Sequence, residues 1–214
     1  MKDKSTTLID LHYLPSLEYF CTLLPFENII LESYEHFVKQ TYRNRCYINT
    51  AHGKKILTVP LLERHEKVLT KDIKVEQGKQ WRSNHWRSIE SAYRKAPFFD
   101  FYSAELKNIL YSDHKYLFNL NQDLLSFCLR QVGFKKNISA SVSYEKQPSE
   151  NIFDARNMVT DKKPFSIRNY YRPHPYYQVF GNEFVPNPSI VDLLFCVGPE
   201  ASAWIKASAA SLNK

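Results

Sequence analysis

Between Thr6 and Leu31 two short apolar runs, TLIDL and NIIL, flank a stretch in which Leu17, Phe20, Leu23 and Leu24 fall on one helical face. Two strands joined through a helix favour one solution. An antiparallel pair needs only a tight hairpin, whereas a helical crossover returns the chain to start a parallel partner. The chain is therefore expected to be α/β, with a partly parallel central sheet flanked by helices. His12-Tyr13-Leu14-Pro15-Ser16 turns the chain after the first run, because Pro15 fixes its own φ and disfavours helix in the residue before it. In a parallel sheet that loop opens at the carboxyl edge, where ligands bind. His12 stands in it.

The remaining chain, to residue 214, is expected to complete one domain with a helical second half. Tyr47-Ile48 and the run from Ile56 to Leu62 read as strands. The second, being continuous rather than alternating, is expected to be buried on both faces. Glu63 to Lys71 is polar and reads as a loop, and Ile73 and Val75 alternate with charged residues in a half-buried strand. Helices follow over about Gln80–Ala96, Ser103–Tyr111 and Tyr116–Val132, the last with Gly133 where a left-handed terminal glycine belongs. Residues 139–163 are polar and without periodicity, which suits a long loop or lid. Ser189-x-x-Asp192 then matches a capping box at the head of an apolar helix.

Charge narrows the chemistry. The net charge is +7, and residues 39–95 hold fourteen Lys and Arg against five Asp and Glu. Such a segment favours an anionic ligand, here a phosphorylated or nucleotide-linked small molecule. Nucleic acid is not expected, since no recognition motif accompanies the charge. The four cysteines lie in or beside apolar segments without CxxC spacing and are expected to be buried free thiols. There is no phosphate-binding glycine loop, no GxSxG elbow, no HExxH and no zinc-type Cys/His spacing, so neither a metal site nor a cofactor is assigned. The start has no apolar region of signal-peptide length and no stretch reaches about 18 apolar residues, so a cytoplasmic protein without membrane insertion is expected.

Asn44-Arg45, Thr58-Val59-Pro60, the W-R-x-x-H-W run from Trp81 to Trp86, YRKAPFF at residues 93–99, YYRPHPYYQ, and F-x-P-N-P-S-I-V-D-L-L-F recur in order along most of the chain. In these motifs it resembles the WbqC family, whose members occur in bacterial O-antigen and other surface-polysaccharide gene clusters. That resemblance implies transfer of glycine or another acyl group to a sugar or sugar nucleotide. Where the family usually carries HQPNYLPW, this chain has IDLHYLPS at residues 9–16, so the leading histidine, the glutamine and the tryptophan are replaced. An equally consistent expectation is therefore a binding or scaffold protein that has lost the chemistry.

The candidate residues follow from both readings. Lys39 and Arg45 would clamp phosphate oxygens, and Asn44 would orient a carbonyl or hydroxyl. His85 or His12 would act as general base. His85 shares a helical face with apolar residues and so is also expected to be partly buried. Trp81 and Trp86 would line the ligand site, and Tyr177 and Gln178 would close it.

Overall fold

A computed structural model describes residues 5–62, 67–181 and 183–210. In chain order the elements are β1 (Thr6–Asp10), α1 (Leu17–Leu23), β2 (Asn28–Glu32), β3 (Arg45–Thr50), β4 (Gly53–Thr58), α2 (Lys79–Tyr93), α3 (Phe99–Tyr111), α4 (Leu117–Val132), β5 (Asn137–Ala140), β6 (Ile152–Asp154), α5 (Ile190–Val197) and α6 (Ala201–Ser208). The expected crossover unit is present: β1 and β2 pair in parallel from Thr6–Asn28 to Asp10–Glu32. β5 adds in parallel to β2 and β6 in parallel to β1, giving the order β5-β2-β1-β6.

The polar stretch 139–163 thus holds a strand of the main sheet. β6 has three residues, too few for a periodic signal, and its neighbour Ala155 is fully buried with its N–H on the Leu8 carbonyl. β3 and β4 form a separate antiparallel hairpin. Here the expectation of a strand buried on both faces fails. Ile56 and Leu62 are exposed while Leu57 and Val59 are buried, because a two-stranded ribbon packed on one side has only one covered face. Ile73 and Val75 are buried in extended backbone held by isolated bridges rather than in a strand. Positions 63–66 of the expected polar loop lie outside the described residues.

α1 is buried along its whole length, Glu18 included. Its first turn is satisfied from a distant segment: the Leu17 N–H donates to the Pro188 carbonyl and the Glu18 N–H to Asn187 Oδ1. The Ile190 N–H in turn donates to the Pro15 carbonyl, so α1 and α5 start at one junction. The capping box read at Ser189 is not formed. Ser189 Oγ donates to the Leu14 carbonyl, and Asp192 turns into the core to accept from Tyr93, Tyr176 and Gln178. α2 packs on β3 and α3, α3 on α4 and α5, and α6 on α1. All four cysteines are buried free thiols. No helix among the described residues is long and apolar enough to cross a membrane.

Candidate functional site

Three adjacent parallel strands end on an acid: β1 on Asp10, β2 on Glu32 and β6 on Asp154. Carboxylates gathered at one sheet edge repel unless cations intervene, and two loop arginines do so. Arg43 bridges Asp10 (3.3 Å) and Glu35 (2.7 Å). Arg156 bridges Glu32 (3.0 Å) and Asp154 (2.7 Å). Asp10 also accepts the Asn157 N–H at 2.8 Å, where Asn157 adopts the left-handed conformation (φ 58°) that Asn tolerates.

His12 is seated within this cluster, between the rings of Tyr19 and Tyr42. Its Nε2 lies 2.7 Å from Asp10 Oδ2. Burial opposes ionisation of Asp10. The His12 charge and hydrogen bond, then the Arg43 guanidinium and the Asn157 N–H, outweigh it and hold the carboxyl well below the usual carboxylate range. The Asp10 carboxylate accepts a hydrogen bond from His12 Nε2–H, which in the neutral ring leaves the lone pair on Nδ1. That atom is buried and has no hydrogen-bond partner. Two residues on, Leu14 is held at φ 41°, a strained conformation for a bulky residue that costs about 1–2 kcal/mol. The Ser189 hydroxyl on its carbonyl helps hold it.

Immediately beyond Arg43 the chain opens a groove of about 400 Å³ lined by Lys39, Gln40, Asn44, Arg45 and the Thr58–Leu61 segment. The three polar residues singled out in sequence, Lys39, Asn44 and Arg45, are thus brought to one place. Asn44 Nδ2 donates to the Val59 carbonyl, which fixes the amide and leaves its buried Oδ1 unpaired. Arg45 lies 3.8 Å from Asp161, and its Nε also lacks a partner. The free Arg45 Nε–H suits an anionic or carbonyl oxygen, while Asn44 Oδ1 can accept from a hydroxyl or N–H.

The other candidates lie elsewhere. His85 is a sealed core residue: Nδ1 accepts the Tyr13 hydroxyl at 2.9 Å, Nε2–H donates to the Thr58 carbonyl at 3.2 Å, and Trp81 packs edge-on. Burial first, then nearby Lys55, lowers its pKa to about 4 despite the Thr58 contact, so the ring is neutral near pH 7. Trp81 donates to the Glu76 carbonyl, and Trp86 stacks near Phe99. Both indoles are buried packing groups. Gln178 is buried against Asp192 and Val185, whereas Tyr177 is 76% exposed and away from the groove. Among the described residues no group of three or more His, Cys, Asp or Glu side chains is placed to hold a metal ion.

Sequence reasoning missed Asp10, Glu32, Glu35, Arg43, Arg156 and Asn157. One signal was present, an acid at the end of each of the first two apolar runs, Asp10 and Glu32. Nothing in the one-dimensional pattern linked Asp10 to Arg43, or Glu32 to Arg156, 124 positions away.

Comparison with known proteins decides the family. The sequence pattern of the WbqC-like protein family matches residues 11–166 and 150–203, which covers the carboxyl-edge loop, the groove and α5. The chain belongs to the WbqC-like protein family. This WbqC-like chain is similar to the uncharacterized protein Rv1507c of Mycobacterium tuberculosis, with 28% identity over 230 residues that span 95% of this chain and 98% of the relative. No solved structure matches it significantly.

Proposed function

We propose that this protein is a group transferase whose reacting centre is the Asp10–His12 pair at the carboxyl end of β1, with the Lys39–Asn44–Arg45 groove holding an anionic donor. The observation that carries the reading is the unpartnered Nδ1 of His12, opposite an Nε2 committed to the Asp10 carboxylate. An Asp–His pair in this tautomer takes a proton from an attacking hydroxyl or amine. The nucleophile then forms its bond to the acyl carbon, the bond from that carbon to the donor's sulfur or oxygen breaks, and the leaving group takes up the proton. Arg45 and Lys39 would balance the donor phosphates, and the Asn44 amide would hold the acceptor. The WbqC resemblance supplies the substrate class: a glycyl or other acyl group passed to a sugar or sugar nucleotide in bacterial surface-polysaccharide assembly. Substrate reaches Nδ1 only when a covering group moves, because His12 is 1% exposed.

That burial also favours a second reading, a binding or scaffold protein that keeps the groove without turnover. Thermal shift with nucleoside diphosphates, nucleotide sugars and coenzyme A thioesters separates the readings, run on the wild type, Arg45→Ala and His12→Gln. A ligand at a hundredfold excess over its Kd adds about 2.7 kcal/mol. Transfer requires a shift that is reduced in Arg45→Ala, together with product formation that His12→Gln abolishes while ligand binding persists. Binding without product, equal in wild type and His12→Gln, assigns the scaffold role. No shift with any of these ligands removes the anion-groove assignment.

A further inference from the structure

Toward the Thr50–Gly53 turn of the β3–β4 hairpin lies a larger opening that the proposed reaction does not use. Two adjoining cavities of about 540 and 390 Å³ run along the exposed face of α2 and share Ser91, Ala92 and Phe180. Five cations line them: Lys54 and Lys55 on β4, and Arg87, Arg94 and Lys95 on and just after α2. Among the described residues, Glu90 is the only carboxylate in the lining.

These cations differ from the protein's paired arginines. Arg43 and Arg156 at the sheet edge, and Arg168 on Glu18 of α1, are each locked to buried carboxylates. Among the described residues, none of the five groove cations has an ion pair or a side-chain hydrogen bond with protein. Like charges gathered in one concavity raise the local potential and concentrate anions there. Arg87 on α2 and Arg94, its C-cap residue, stand seven positions apart, about 10 Å along the helix axis. An anion must therefore extend, or carry several charges, to meet both. The lining is not wholly polar, since Phe180 and the half-exposed Ile56 flank the charged stretch.

The groove wall is also fixed in place. Phe180 follows Gln178, whose amide is bonded to Asp192 and to both backbone groups of Val185, and Asp192 accepts the Tyr93 hydroxyl of α2. The segment and the helix are pinned to one buried carboxylate, so the opening does not have to be assembled on binding. Its size falls in the range of small-ligand sites, about 300–1,000 Å³.

We infer that this groove binds a small organic ligand carrying an oligophosphate chain, with the phosphates on the Lys and Arg side chains and an apolar or ring portion against Phe180 and Ile56. The paired fork of arginine suits phosphate oxygens bidentately, and the lysines add point charges. The site is separate from the proposed reaction centre. The first groove meets the hairpin at Arg45 and Thr58, whereas this one surrounds the Thr50–Gly53 turn and reaches along β4 to Ile56, so the two openings have no lining residue in common. The inference therefore stands whether or not the protein is a transferase.

The test is calorimetric titration of orthophosphate, pyrophosphate, tripolyphosphate and a nucleoside diphosphate into the wild type, Arg87→Gln/Arg94→Gln, Lys55→Gln and Arg45→Ala, with a short single-stranded oligonucleotide as a further titrant. All these positions are at the surface or groove lip, and thermal melts check that the variants remain folded. Affinity is expected to rise from orthophosphate to tripolyphosphate, and the nucleoside diphosphate to bind more tightly than pyrophosphate. Each lost phosphate contact should weaken binding about tenfold. In Arg45→Ala, which alters only the first groove, tripolyphosphate should still bind at the site that the Arg87→Gln/Arg94→Gln variant weakens. Three results would overturn the inference: no binding of any oligophosphate, binding unchanged in the α2 variants, or binding lost in Arg45→Ala. An oligonucleotide that binds where tripolyphosphate does not would overturn it too and make the groove a nucleic-acid track.

Discussion

Acid should weaken this protein through His85. In the folded state the ring has its pKa lowered from 6.5 to about 4, chiefly by burial. It accepts from Tyr13 and donates to the Thr58 carbonyl, an arrangement that only the neutral tautomer satisfies. The unfolded chain takes up a proton near the ordinary value, so the neutral histidine contributes fully to stability above about pH 6.5. That contribution is lost as the pH falls towards 4, because the unfolded state then binds the proton that the folded state refuses. Each pH unit in the window is worth about 1.4 kcal/mol, which gives a loss of about 3 kcal/mol. Carboxylates titrate nearby, and the comparison must cancel them. His85→Gln does so, since its amide can accept from Tyr13 and donate to Thr58 without titrating. Urea unfolding at intervals from pH 7 to pH 4 should show the wild type losing about 3 kcal/mol more than the variant. Parallel pH profiles, or an imidazole resonance of His85 that titrates at 6.5 or above, would refute the reasoning.

Three further perturbations test the packing. Gly198 has φ 60°, and an added Cβ would stand 2.4 Å from Phe98 Cδ1; Gly198→Ala should cost about 3 kcal/mol by urea denaturation, and a cost below about 1 would mean that Phe98 moves aside freely. Glu18 and Arg168 form a buried two-pronged ion pair beneath Asn187. Glu18→Gln should lower stability by about 3–5 kcal/mol by stranding the guanidinium, while Glu18→Met with Arg168→Leu should recover much of it, both read from the unfolding midpoint. Ile89 on α2 is fully buried against the core, and Ile89→Ala should cost about 2–5 kcal/mol in the same assay.

The candidate site was legible only in part. Lys39 and Arg45 could be singled out because short-range composition marks a basic stretch, Asn44 through the resemblance, and folding places all three in one groove. His85 and Trp81 carried motif weight in the sequence yet sit in the core, because a helix presents one face to its neighbours whatever residues stand on it. Asp192 looked like a cap by spacing, but its partners are Tyr93, 99 positions away, and two side chains of a loop that sequence could not register.

By itself the sequence determined the local grammar of this protein. Two apolar runs around an amphipathic stretch required a parallel pair, Gly133 ended α4 at φ 80°, and the basic segment was visible as a count of charges. These are properties of neighbours along the chain. Only the tertiary structure decided that β6 would complete the sheet, that Arg43 and Arg156 would neutralise three strand-end acids, and that the unpaired cations would gather in the α2 groove. Such pairings join residues far apart in sequence, and their energy depends on burial, which excludes water from some charges and leaves others facing it.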